Sequence, residues 1–151
     1  MLCIRPPDRI RRTPGTYTVF LAGSIEQGSA ENWQEEVENN MAGYPVTLWN
    51  PRRSDWDPSM KDIRPQVEWE LNALNKADLI AMYFDPNTKS PITLLELGLY
   101  ANSKKLIVCC PEGFYRKQNV DIVCEQHRVA VLKDLNSLIG RIRMFSSEGV
   151  P

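Results

Sequence analysis

Two carboxylates stand where a water-soluble chain rarely leaves them. Glu96 is the only charge in the run ITLLELGLYA, residues 92–101, which is apolar on nearly every face and so reads as a helix buried on several sides. A carboxylate there must be paired, solvated through a cleft, or held near neutrality with a raised pKa, since desolvation disfavours its charged form. Such groups are candidate catalysts. Glu70 falls within the apolar stripe Val67, Glu70, Leu71, Leu74 and Ala77 of a preceding helix, so a second carboxylate points inward. Near them the small polar turn Gly23-Ser24, with Gly28 following, could bring amides and a hydroxyl to an anion beside a helix N-terminus, and Ser90 opposite could add another hydroxyl. An anion cradle with two inward acids suits a phosphorylated or sugar-bearing substrate. One carboxylate can attack an anomeric carbon while the other manages the leaving group, as in retaining glycoside chemistry.

Each signal also has a bland explanation. Thr93-Leu94-Leu95-Glu96 fits a capping box, in which Glu96 would reach back to the Thr93 amide. Glu70 could sit at the stripe's edge or pair with an arginine. Gly98 favours a functional Glu96, because a glycine inside a helix is more easily explained when something approaches the backbone closely.

The elements that must position these groups alternate along the chain. Strand-like runs cover residues 16–23, 45–49, 78–84, 105–110 and 128–132. Between the first two, Ala30, Trp33, Val37 and Met41 keep the spacing of a core-facing helix that Ser29 can cap. Residues 50–61 form a long loop of lid type, in which Trp56 could stack on a base or fasten the loop to the domain. A helix from about Asp62 tolerates Pro65 in its first turn; a short helix over 120–126 and an amphipathic one through Leu135, Leu138, Ile139, Ile142 and Phe145 complete the set. Five strands alternating with helices predict an α/β, flavodoxin-like doubly wound parallel sheet of order 2-1-3-4-5 with helices on both faces. Its switch point lies between strands one and three, so ligand should bind beyond Gly23-Ser24 and the loop Asp85 to Ser90.

A chain of 151 residues with 18 Lys+Arg against 19 Asp+Glu predicts one domain, residues 16–151, behind a flexible tail of residues 1–15. The charge balance carries no electrostatic footprint for a nucleic-acid polymer or a membrane surface. No secretory or transmembrane run appears, which predicts a soluble, cytoplasmic protein. Cys3, Cys109, Cys110 and Cys124 lack metal-ligand spacing and read as thiols of a reducing compartment. His127, the only histidine, would have to carry any Ser-His-Asp site alone, and an ordinary polar role is the simpler reading.

FLAGSI after the first strand, a helix-borne acid eight residues before Asp78, and LLELG together resemble the nucleoside 2-deoxyribosyltransferase superfamily, including its 2′-deoxynucleoside 5′-monophosphate N-glycosidase branch. The resemblance runs from about Tyr17 to Asn119. It implies cleavage or transfer of an N-glycosidic bond in a nucleoside or its 5′-monophosphate, without a cofactor or metal, by a homo-oligomer. Glu96 matches the family nucleophile, which forms a glycosyl-enzyme, and Glu70 falls where the family has an aspartate near sugar or base. Gly23, Ser24 and Ile25 match the substrate-facing turn, Ser90 a serine on the 5′-phosphate, Asn50 a base-contacting position, and Asn119, more loosely, a residue lent to the neighbouring subunit. Asp85, at the end of strand three, joins the binding positions. Phe20 stands where the family usually has a tyrosine that steadies the nucleophile, and Tyr100, one turn beyond Glu96, is the candidate substitute. Pro91-Ile92-Thr93 replaces the family's glycine-rich approach.

Three other classes share the fold. A catalytically silent nucleotide sensor would retain the pocket and lack the chemistry, and Phe20 supports it. A receiver domain would use Asp85 and Lys133 but needs an acidic pair after strand one, where Ala22-Gly23-Ser24 stands. A flavodoxin-type electron carrier has no further support.

Overall fold

The computed structural model describes residues 1–26, 30–53, 55 and 61–148. Leu2–Ile4 forms β1, Tyr17–Gly23 β2, Val46–Trp49 β3, Leu79–Tyr83 β4, Leu106–Cys109 β5 and Ala130–Leu132 β6. The helices are α1 (Trp33–Asn40), α2 (Arg64–Lys76), α3 (Pro91–Tyr100), α4 (Lys117–His127) and α5 (Leu135–Ser147). All strands pair in parallel, in the order β1-β3-β2-β4-β5-β6. The five strands other than β1 reproduce the order 2-1-3-4-5, and the sheet has six strands rather than five.

The sixth strand comes from the segment expected to be a free tail. Leu2, Cys3 and Ile4 lie in register with Thr47, Leu48 and Trp49, and the Asn50 amide donates to the Ile4 carbonyl at 2.9 Å. Farther on, Trp69 Nε1 donates to the Asp8 carbonyl at 2.8 Å, and Arg12 forks onto Asp78 at 2.9 and 3.1 Å. A three-residue edge strand has no periodicity of its own, so the arginines and prolines after it dominate the local reading.

Alternation along the central strands divides the core between the two faces of the sheet. Phe20, Ala22, Ile80 and Met82 point toward α2, α3 and α4, where they meet Ala73, Leu74, Leu97, Val120 and Cys124. Val19, Leu21, Ala81 and Tyr83 point toward α1 and α5, against Trp33, Val37, Leu138 and Ile142. The stripe Ala30, Trp33, Val37 and Met41 is buried as its spacing predicts, but α1 begins at Trp33 with Asn32 as its cap, the side chain accepting from the Glu35 amide at 3.3 Å. Ser29, Gly28 and Trp56 lie outside the described residues.

The face of α2 departs in part from the expected one. Gln66, Ala73 and Leu74 are buried and Trp69 packs near Phe20, with ring centroids 6.4 Å apart, whereas Val67 and Leu71 are exposed. Leu74, Ala77 and the inward Glu70 keep the places that the spacing gives them, but Gln66 and Ala73 are buried where the stripe called for Val67 and Leu71. Among the described residues no helix is long and apolar enough to cross a membrane.

Candidate active site

The reversal of strand order falls between β2 and β4, whose ends Gly23 and Tyr83 are partners in the ladder. At that edge Gly23 has φ +148°, and a Cβ there would lie 2.3 Å from the Tyr83 carbonyl oxygen and 2.8 Å from Trp33 Cζ2. Only glycine lets the first βα turn leave the sheet so closely against its neighbour. The chain then opens into a cavity of about 420 Å³ over the carboxyl ends of the strands, where an open α/β sheet holds its ligand.

Glu70 of α2 and Glu96 of α3 both line this cavity, with Gly23, Ile25 and Ser90 around them. Glu96 is 8 % exposed, and burial, helped by the neighbouring Glu70 charge, pushes its carboxyl up to about 8. Burial likewise pushes Glu70 up to about 7, opposed by a hydrogen bond from Gln66. Two carboxylates that repel in a dry site titrate as a pair, and this pair retains a proton at neutral pH. One member can then attack while the other donates or accepts a proton.

The capping-box account of Glu96 does not hold. α3 starts two residues before Thr93, with Ser90 as N-cap in the left-handed region (φ 47°), and the Leu94 amide donates to the Ser90 carbonyl at 3.0 Å. Glu96 therefore lies in the second turn, facing the cavity, and among the described residues no hydrogen bond reaches its carboxylate. Gly98 does not explain it either, because a Cβ there would meet nothing within 4 Å. Tyr100 is no substitute for a steadying tyrosine, since its hydroxyl donates to Asn75 Oδ1 at 2.9 Å. Phe20 is buried in the core behind the cavity.

The remaining expected residues divide into three groups. Ser24 and Ser90 meet through their hydroxyls, Thr88 Oγ1 lies 2.7 Å from Ser90 Oγ and 3.2 Å from Ser24 Oγ, and the Asp85 amide donates to Ser24 Oγ at 2.9 Å. Asp85 itself turns its carboxylate toward the amides of Asn87 (2.9 Å) and Glu31 (3.2 Å), in an adjoining hollow. Asn50 faces elsewhere, donating to Glu38 Oε1 at 2.6 Å in a polar depression that shares no described lining residue with the Glu96 cavity. Asn119 is exposed on α4.

Sequence reasoning missed Gln66 and Glu26. Gln66 Nε2 donates to the Pro51 carbonyl at 3.0 Å and to Glu70 Oε1 at 3.4 Å, tying the loop after β3 to the second acid. Its position one helical turn before Glu70 was the available signal. Glu26 lines the cavity and accepts from the Ser90 amide at 3.1 Å, and nothing local in the sequence marks it.

The sequence profile of the family described as nucleoside 2-deoxyribosyltransferase like matches residues 16–114, from the start of β2 to the loop after β5. The chain belongs to that family. Membership in the nucleoside 2-deoxyribosyltransferase-like family carries a function related to glycosyl transfer. No curated protein matches the sequence. Among solved structures, the chain is similar to a conserved protein from Enterococcus faecalis V583, with a TM-score of 0.66 at 11 % identity over 85 % of this chain and 98 % of that one. At that identity the likeness establishes the shared fold.

Proposed function

We propose that this member of the family is an N-glycosyl enzyme acting on a nucleoside or nucleotide, with Glu96 as nucleophile and Glu70 as its acid and base. One observation carries the reading: two helices each deliver a buried carboxylate, with raised pKa, into one cavity at the switch point of the sheet. The proton the pair retains must pass from Glu96, whose carboxyl stands higher, to Glu70 before reaction. The Glu96 carboxylate then attacks the anomeric carbon, the C–N bond breaks, and its electron pair leaves with the base, which takes that proton from Glu70. Glu70, now ionised, then removes a proton from water or a second base as that acceptor displaces Glu96 from the sugar. The cavity volume suits a ligand of nucleoside size. No metal or cofactor enters these steps.

Chromatographic detection of free base, from purified protein with deoxy- and ribonucleosides and their 5′-monophosphates, with and without a second base, tests this. Base release is expected, and Glu96→Gln should lower it at least ~1,000-fold, as for loss of a covalent nucleophile. Undiminished release by Glu96→Gln would remove the assignment.

A second reading, a silent binding module, has an observation of its own. Phe20 offers no hydroxyl, and Tyr100 spends its own on Asn75. Binding without turnover across the panel would select it.

Assembly belongs to the proposal as well. Ile92, Leu95 and Leu99 on the outer face of α3 are each nearly 60 % exposed. Exposed apolar ridges of this kind mark interaction surfaces. Ile92 also lines the cavity, so a second copy seated on this ridge would border the site.

A further inference from the structure

Gln66 lies among three groups that leave its amide only one way round. The Pro51 carbonyl, 3.0 Å from Nε2, can only accept, so it faces the NH2 end. Arg53 Nη1, 3.5 Å from Oε1, can only donate, so it faces the oxygen. The guanidinium of Arg53 grips Asp55 through Nε at 2.9 Å and Nη2 at 3.0 Å, which leaves Nη1 for Gln66. With both ends of the amide decided, Nε2 also donates to Glu70 Oε1, 3.4 Å away and one helical turn along α2.

This contact separates the two acids. Among the described residues Glu96 receives no hydrogen bond, whereas Glu70 receives one from a group that is held against rotation. An amide N–H donates more strongly to a carboxylate than to a carboxyl group, so Gln66 favours the ionised form of Glu70. When Glu70 does hold a proton, the oxygen that accepts from Gln66 is its carbonyl, and the proton lies on Oε2. The charged groups around Glu70 are Glu96 from α3 and Glu26 from the turn after β2, both lining the cavity, and Arg53 behind Gln66 from the loop after β3. β2 and β4 present Phe20, Ala22, Ile80 and Met82 to this side, and the N-terminal segment meets α2 through the Asp8 carbonyl on Trp69.

We propose that Gln66 is the positioning residue of Glu70: its amide, fixed by Pro51 and Arg53, keeps the acid's proton on Oε2 and stabilises the carboxylate left when that proton goes to the departing base. The inference rests on the N-glycosyl reading for the task of Glu70 and adds what prepares Glu70 for it. The same hydrogen bond leaves the resting proton of the pair on Glu96, and its help is felt at the end of the acid step, when Glu70 is ionised again.

The first test uses the native chain. With the side-chain amides isotope-labelled, a Gln66 amide proton should shift over the range, about 7 to about 8, in which the acid pair titrates. Gln66 amide protons indifferent to that titration overturn the assignment. The second test follows the carboxyl carbons of Glu70 and Glu96 in the native chain and in Gln66→Met and Gln66→Leu, neither of which offers a donor. Loss of a group that stabilises only ionised Glu70 raises the proton affinity of the pair at both steps, by about one pH unit in total. Were Gln66 merely a tether for the loop after β3, its removal would admit water and lower the values instead. A fall, or no change, in both variants overturns the proposal. In base release, both limbs of the kcat/KM profile should move to higher pH, and kcat should drop ~10-fold with little change in KM. Limbs that stay in place while the carboxyls move overturn it as well. The expected carboxyl titrations with no turnover of any nucleoside or nucleotide would instead count against the N-glycosyl reading and leave the hold of Gln66 on Glu70 standing.

Discussion

α3 and α5 pack on opposite faces of one sheet and are built by opposite rules. α5 begins at Asp134, whose carboxylate accepts from the Ser137 amide at 2.8 Å, and it buries Leu138, Ile139 and Ile142 as its spacing dictates. α3 begins at Ser90 in a left-handed conformation with no cap from its own side chain, takes a carboxylate from a distant loop instead, buries Glu96 and exposes Ile92, Leu95 and Leu99. One helix satisfies propensity, patterning and capping together. The other departs from all three at the same place, and natural sequences concentrate such departures where function requires them.

The largest effect expected to sharpen this contrast comes from Glu96→Gln. The folded carboxyl binds its proton more tightly than the unfolded one, with the pKa raised from 4.5 to about 8. The native chain therefore loses stability as pH rises across that interval. Removing the charge should stabilise the fold by up to about 4 kcal/mol at pH 8 and have little effect near pH 4. Urea unfolding of native and variant chains at the two pH values measures this, and equal gains at both would show that burial of the charge is not the cause.

Next in size is Leu95→Glu on the exposed ridge. If a second copy covers α3, the variant should weaken self-association at least ~10-fold, about 1.4 kcal/mol, in sedimentation velocity. A native chain that is monomeric throughout would leave the ridge without that partner. Asp134→Ala is the smallest test and should lower stability slightly in the same urea measurement, through loss of the α5 cap, while leaving base release unchanged. A loss of activity there would mean that the two helices are coupled more closely than the separate cores on the two faces of the sheet indicate.

What could be read in advance follows the same division. The central strands were legible because burial on both faces leaves unbroken apolar runs, and α1 and α5 because their stripes match the cores they enter. Glu96 was legible as the one charge in a greasy run. β1 was not, because its pairing with β3 depends on a partner far along the chain. The α2 face was misjudged because Val67 and Leu71 are apolar yet exposed, while Gln66 is polar yet buried. Asn50 looked available to a ligand until Glu38, on another helix, claimed its amide. Glu26 carried no signal, since its effect depends on where a loop returns in space rather than on its neighbours in the chain.

The paired carboxyls also make the cavity a proton reservoir. With the members of one coupled pair poised at about 7 and about 8, the empty site is neither fully charged nor fully neutral in ordinary cellular conditions. A ligand that settles between them must redistribute that proton, handing it to solvent or drawing one in. Its apparent affinity will consequently carry the acidity of the medium even when the ligand itself does not ionise, and occupancy will follow acidification of its surroundings without any dedicated sensor.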